Sequence, residues 1–198
     1  MTTDTSVTTL PDLRPELARA LDQTGRLIAG TDPAAAGDPT PCDEFDVATL
    51  IAHLQAVVRR IGVVIAGEPF DSVPSMRTSV DWAGEWARGR AATDAVLAVD
   101  ANLDRVVRVP WGEVPARAAI ASYIGELVTH GWDLAVATGR RDELDPALAD
   151  VALPATLTKI PEQRGEGIPF GPVVAVPDDA PAYDRLIAWS GRNPAWRP

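Results

Sequence analysis

The stretch YIGELVTHGWDLAVATG, residues 123–139, decides how this chain folds and where its chemistry lies. Apolar residues recur in it at helical spacing, and Gly139 is a common C-terminal signal for a helix. Each helical residue advances about 100° around the axis, so Glu126 and His130 lie on one stripe. Asp133, seven residues after Glu126, returns to that stripe. The pattern predicts a core helix whose inward face carries ionisable groups where leucines would be expected.

A second stretch, ATLIAHLQAVVRR, residues 48–60, contains His53, the other of the chain's two histidines. His53 shares a helical face with Leu50, Leu54 and Val57, so we expect its ring to point inward as well. The two stretches together predict that both imidazoles and the Glu126 carboxylate converge in the core.

A convergence of this kind favours a bound divalent cation. An unpaired carboxylate buried beside imidazoles is costly, whereas a cation would satisfy all three groups at once. Two imidazoles and one carboxylate form a common catalytic zinc shell with an open position, and Asp133 could accept a hydrogen bond from a ligand's ring N–H. Two simpler interpretations stay open, namely a hydrogen-bonded core histidine and a Glu–His pair on a solvated helix face.

The rest of the chain predicts an all-α protein, an antiparallel four-helix bundle with a short C-terminal appendage. We expect the bundle over residues 10–145 and the appendage over residues 146–198. The predicted helices run from about Pro11, from Asp46 to Ala66, from Ser79 to Ala101 and from Ala116 to Thr138. An extended VVRVPWGEVP segment precedes the fourth helix. The appendage is expected to hold a short helix and an amphipathic segment from Tyr183 to Trp189.

Composition narrows the classes of function. The formal charge of −10 argues against nucleic acid and against an anionic membrane surface. A lone cysteine, Cys42, excludes an internal disulfide and fits a reducing compartment. The first nine residues are Thr-rich and expected to fray, and they do not resemble a signal peptide. No stretch is expected to reach the roughly 20 apolar residues of a membrane span. These features predict a soluble, cytoplasmic protein.

Three motifs resemble those of a known family. TPCDEFDVATLIAHL (residues 40–54) and GELVTHGWDLAVATG (125–139) resemble the DinB-like superfamily, in particular its actinobacterial branch of mycothiol-dependent maleylpyruvate isomerases and mycothiol S-transferases. The segment FGPVVAVPDDAPAYDRLIAWSGRNP (170–194) resembles a tail found in one subgroup of that branch. The resemblance implies a four-helix bundle and a metal held by His53, Glu126 and His130. Phe45 stands where tryptophan is frequent in relatives and would keep an aromatic plug.

The resemblance also implies a chemistry. A low-molecular-weight thiol, mycothiol, would bind the open position of zinc or nickel as thiolate and attack an electrophilic small molecule, giving a conjugate or an isomer. Asp133 would orient a ligand or the incoming thiol. Arg60, seven residues after His53, is a candidate for binding the cofactor or a substrate carboxylate, although its side chain could instead extend to water at the end of the bundle.

Several other residues have more than one possible role, and two other functions fit the sequence. Cys42 is expected to pack at the helix entrance, with a nucleophilic role as the alternative. Trp111 and Trp132 are candidates for the cavity mouth, with packing as the default for Trp132. The segment 164–171 lacks the context of a phosphate loop and could form a rim for a sugar-bearing thiol. A non-catalytic metal-binding or regulatory module and a metal-dependent hydrolase are the alternative functions, and the chain could be a monomer or a homodimer.

Overall fold

A computed structural model describes residues 10–74, 76–77, 79–165, 167 and 169–198. The predicted fraying of the first nine residues therefore lies outside the described residues, as do Glu166 and Ile168 of the predicted rim segment. The described residues form these elements: α1 (Arg14–Ala29), α2 (Val47–Ile65), α3 (Trp82–Leu97), β1 (Val106–Val109), β2 (Gly112–Pro115), α4 (Ala116–Ala137), α5 (Pro146–Lys159) and α6 (Ala182–Trp189). The prediction of an all-α, DinB-like bundle is confirmed, with one small hairpin added.

Local signals fix the two helices that matter most for function. The Asp46 side chain accepts a hydrogen bond from the Thr49 backbone N–H at 2.8 Å, which caps the start of α2 as expected. Gly67 ends that helix with φ of 90°, and Gly139 ends α4 with φ of 68°. In both cases two backbone hydrogen bonds close the last turn in a Schellman arrangement, which requires the left-handed conformation that glycine adopts easily.

The third helix is shorter than predicted. It begins at Trp82 because the Asp81 side chain accepts a hydrogen bond from the Gly84 N–H at 2.9 Å and so caps it there. It ends at Leu97, and the following residues form a separate 3-10 helix, Asp100–Asp104. The first helix likewise begins at Arg14, three residues later than expected.

The four long helices enclose one core, with α2 and α4 packed directly against each other. A hairpin of β1 and β2 leads into α4 and pairs Val107 with Val114 in antiparallel register. Beyond the bundle, α5 packs on α4 and α6 packs on α5. Arg141 anchors α6 through an ion pair to Asp184 at 2.6 Å. The division into a bundle (10–145) and an appendage (146–198) remains a prediction.

The helix α2 is more apolar than the sequence analysis supposed. By length and composition alone it could cross a membrane, but 67% of its most apolar window is buried inside the protein. Thirteen of its residues are buried. That burial is typical of the central helix of a soluble bundle.

Candidate metal centre

The facing surfaces of α2 and α4 bring together the three residues expected to bind a metal. His53 Nε2 lies 3.1 Å from Glu126 Oε1, and His130 Nε2 lies 3.8 Å from the same oxygen. The two imidazole rings meet edge to face, with centroids 4.7 Å apart. One donor atom from each of the three residues lies within 4.8 Å of the other two. The helical spacing placed Glu126 and His130 on one stripe, and the packing of the bundle adds His53.

Phe45 covers one side of this group. Its ring centroid lies 5.3 Å from that of His53 and 6.3 Å from that of His130. The preceding loop is held in place because the Thr40 hydroxyl donates to the Phe45 carbonyl at 2.7 Å. The phenyl ring therefore occupies the plug position that the resemblance implied.

Asp133 orients the His130 ring from behind. Its side chain is fully buried, and Asp133 Oδ2 lies 2.9 Å from His130 Nδ1. An ionised carboxylate only accepts hydrogen bonds, so we assign the ring proton to Nδ1, which donates to Asp133. The lone pair on His130 Nε2 then faces Glu126 and His53. That tautomer is the one a metal ligand needs, because the ligating nitrogen must be unprotonated.

Arg192 also contacts the centre, although no pattern in the sequence pointed to it. This residue of the C-terminal segment donates from Nε to Asp133 Oδ1 at 2.7 Å, and its side chain is 10% exposed. Burial opposes the charge of the guanidinium, but Asp133 outweighs that effect and raises the pKa of Arg192. The only signal in the sequence was an arginine within the tail motif SGRNP, which carries no information about its partner.

The electrostatics of the centre favour an ionised glutamate. Burial acts to raise the pKa of Glu126, but the hydrogen bond from His53 and the electrostatic influence of the two nearby imidazoles outweigh it, so the pKa is held well below its usual range. Its side chain keeps 32% exposure, so the carboxylate is not sealed away from a ligand.

A cavity of about 650 Å³ opens beside the centre. Glu126, His130 and Arg192 belong to its lining, so two of the three candidate ligands are accessible from this space, whereas His53 is not among the lining residues. The remaining lining is largely apolar and comes from the segment before α1, the hairpin, α4, α5 and the tail. Its volume falls in the range of small-molecule sites, roughly 300–1,000 Å³.

Trp111, a candidate for the cavity mouth, is among the residues that line this cavity. Lys159 Nζ stands 3.7 Å from the Trp111 ring centroid and donates to the Ser122 hydroxyl at 2.7 Å. Phe170, a described residue of the predicted rim segment 164–171, also lines the cavity. Trp111, Phe170 and Lys159 thus add two aromatic rings and one cation to the lining of the cavity.

The structure does not bring two other candidates to the cavity. Arg60 is absent from the described residues that line it, and the buried Nε of Arg60 has no hydrogen-bond partner among the described residues. Its role in cofactor binding stays a prediction. Trp132 is fully buried, in agreement with the default of packing.

Cys42 lies near the centre without completing it. Its sulfur, a His130 nitrogen and an Asp133 oxygen form a second group of donors within 4.8 Å of one another. Arg192 already neutralises Asp133 there, so this group suits a cation poorly. Burial raises the pKa of the Cys42 thiol, which disfavours the nucleophilic thiolate.

The His53, Glu126 and His130 set, in contrast, fits a divalent metal. It supplies two neutral nitrogen donors and one anionic oxygen, the composition of many catalytic zinc shells, and it leaves a side open to the cavity. His53 and Glu126 are already in contact at 3.1 Å, so small side-chain movements would admit an ion between them.

These features define a class of protein: a helical bundle with a His–Glu–His group presented by two facing helices beside a ligand-sized cavity. The chain belongs to the family described as the mycothiol maleylpyruvate isomerase N-terminal domain, whose model matches residues 17–135. It is also similar to uncharacterised proteins from two strains of Mycobacterium tuberculosis. Each is 33% identical over 176 residues, which cover 88% of this chain and 94% of the relative. No solved structure matches the chain.

Proposed function

We propose that this protein is a metal- and mycothiol-dependent S-transferase or isomerase that acts on a small electrophile. The observation that carries the proposal is the meeting of His53, Glu126 and His130 beside a cavity of about 650 Å³. Membership of a family named for a mycothiol-dependent isomerase supports the choice of thiol. We further propose that the protein works in the cytoplasm and needs no nucleic acid or membrane.

Zinc is the metal we expect, with nickel as the alternative, because a His–Glu–His shell accepts both. When bound with an open position, such a cation lowers the pKa of an incoming thiol, so that thiolate is available near neutral pH. In the overall reaction the thiol sulfur forms a bond to an electrophilic carbon. A leaving group departs with its electron pair, and the thiol proton passes to solvent.

The isomerase form of the reaction needs a conjugated double bond in the electrophile. Addition of sulfur converts the double bond to a single bond, rotation follows, and elimination restores the thiol. The same protein residues serve both outcomes, so the structure of the electrophile decides which one occurs.

The chain's own residues have distinct tasks. His53, Glu126 and His130 would hold the metal, and His53 Nε2 would have to be free of the proton that it now donates to Glu126. Asp133 keeps the proton of His130 on Nδ1, 2.9 Å away. The apolar walls of the cavity limit water around the sulfur, and the Trp111 rim offers a stacking surface for a sugar-bearing thiol.

Metal analysis of matched variants tests the ligand set. Wild type should retain about one zinc per chain after dialysis, and the His130→Ala and Glu126→Gln variants should lose it with unchanged helical circular dichroism. Glu113→Gln, at an exposed hairpin position, is the control and should keep the metal. Equal zinc in wild type and His130→Ala would overturn the metal site.

Thiol consumption then tests the reaction. Zinc-loaded protein should accelerate the conjugation of mycothiol with chlorodinitrobenzene, and the His130→Ala variant should not. If zinc binds but no electrophile consumes thiol, the protein is a non-catalytic metal-binding or regulatory module. Release of a hydrolysis product without thiol would instead identify a metal-dependent hydrolase.

A further inference from the structure

The turn after α6 directs the Arg192 side chain toward the candidate metal centre. Gly191, with φ of 82°, follows α6, and the backbone N–H of Arg192 donates to the Ile187 carbonyl at 3.0 Å. An alanine Cβ at position 191 would lie 2.6 Å from the Gly171 carbonyl oxygen, so only glycine fits. Arg192 Nη1 also donates to the Ser190 carbonyl at 3.3 Å. The turn that follows α6 therefore fixes the Arg192 guanidinium in the position from which it binds Asp133.

The contact between Arg192 and Asp133 links the C-terminal segment to the candidate metal ligand His130 through the buried Asp133 carboxylate. Arg192 Nε donates to Asp133 Oδ1, while His130 Nδ1 donates to Asp133 Oδ2. Asp133 has no exposed surface, so Arg192 supplies the charge that compensates it. With both oxygens occupied, the carboxylate cannot rotate away from the imidazole.

We propose that Arg192 is a positioning residue for the metal centre, acting through Asp133 to fix the ring orientation and tautomer of His130. The C-terminal segment is then a working part of the centre, although Arg192 lies outside residues 17–135, which match the family model. The part of this inference that concerns metal affinity rests on the proposed function, whereas the part that concerns the His130 tautomer does not.

The competing explanation is that Arg192 only fastens the C-terminal segment to the bundle. Arg141, which makes another contact of that segment, allows the two explanations to be distinguished. Arg141 binds the Asp184 carboxylate at 2.6 Å and the Pro194 carbonyl at 3.0 Å, so it also fastens the tail to the bundle. These contacts do not involve Asp133 or His130. Arg141→Met therefore removes tail anchoring without touching the centre and is the matched control for Arg192→Met.

The first test uses metal-free protein and nitrogen-15 NMR of the imidazoles. The chain has only two histidines, so assignment needs one additional variant, His53→Gln. Wild type should show His130 as the Nδ1–H tautomer. Arg192→Met should convert it to a mixture of tautomers, Arg192→Lys should restore the wild-type signal in part, and Arg141→Met should leave it unchanged. An unchanged His130 tautomer in Arg192→Met would overturn the proposal.

The second test is zinc affinity at fixed pH, measured by competition with a chromogenic chelator. Arg192→Met should weaken binding by about 10- to 100-fold, the usual effect of removing a partner behind a metal ligand. Arg141→Met should stay within about twofold of wild type. Equal weakening by both variants would assign Arg192 a merely structural role. If Arg192→Met loses its helical circular dichroism, Arg192→Gln replaces it with the same expected outcomes.

The two measurements separate the failure of this inference from the failure of the proposed function. Wild type that binds no zinc would remove the proposed function, and the NMR result would still decide whether Arg192 positions His130. If Arg192→Met binds zinc as tightly as wild type does, the inference about Arg192 is overturned and the proposed function stands.

Discussion

Replacing Asp133 by asparagine should cost the protein a large part of its stability even without metal. The wild-type carboxylate is fully buried and accepts from Arg192 at 2.7 Å and from His130 at 2.9 Å. The asparagine amide has the same shape but can accept on only one side, because its NH₂ group donates. The Arg192 charge would then lose its ionic partner, and the amide NH₂ would face His130 Nδ1, which could accept from it only after moving its own proton to Nε2.

The expected decrease in the free energy of unfolding follows from the loss of this ion pair. Breaking a buried ion pair by removing one partner costs about 3–5 kcal/mol. Arg192 keeps 10% exposure and the asparagine keeps one accepting oxygen, so we place Asp133→Asn at the low end, near 3 kcal/mol. For a chain of this size, each kcal/mol lowers the Tm by roughly 2–4 °C, which predicts a shift of about 6–12 °C.

Urea unfolding followed by circular dichroism, in the presence of a chelator, measures the free energy of unfolding directly. The control is Asp184→Asn, which removes a carboxylate that is 25% exposed and pairs with Arg141. That variant should lose under about 1 kcal/mol. A loss for Asp133→Asn no greater than for Asp184→Asn would contradict this prediction, because the buried pair would then contribute no more than a partly exposed one.

Three further predictions concern other parts of the chain. Burial raises the pKa of Tyr183 to about 12 and raises that of Tyr123 as well, so the stability linked to the neutral tyrosines is complete below about pH 10 and is lost as the pH rises through the folded values. Absorbance at 295 nm should show tyrosinate only together with unfolding, and earlier ionisation would contradict this burial. Gly62→Ala should destabilise by about 1–2 kcal/mol in urea unfolding, because the new Cβ would lie 2.9 Å from Thr93 Oγ1; unchanged stability would show that Thr93 can move. Cys42→Ser should keep its zinc in metal analysis, and a loss of metal would make the sulfur a ligand.

The parts of the structure set by local signals could be predicted from the sequence. The ends of α2 and α4 follow from Asp46, Gly67 and Gly139, whose effects reach only a few residues along the chain. The pairing of Glu126 with His130 on one stripe follows from helical geometry alone. The length of α3 was overestimated because apolar spacing continued past its caps.

The parts set by packing between distant segments could not be predicted in the same way. Joining His53 to Glu126 needed the adjacency of α2 and α4, which the bundle hypothesis provided. The contact between Arg192 and Asp133 spans 59 residues, and a tail rich in glycine and proline has no periodicity from which to derive its path.

X-ray absorption spectroscopy of the zinc-loaded protein, before and after mycothiol is added, shows whether the thiol binds to a metal held by His53, Glu126 and His130. We expect a shell of nitrogen and oxygen alone without thiol, and one additional sulfur at about 2.3 Å once mycothiol binds. Sulfur in the shell before any thiol is added would point to Cys42 as a ligand. A shell that still lacks sulfur with saturating mycothiol would contradict a thiol-binding metal centre.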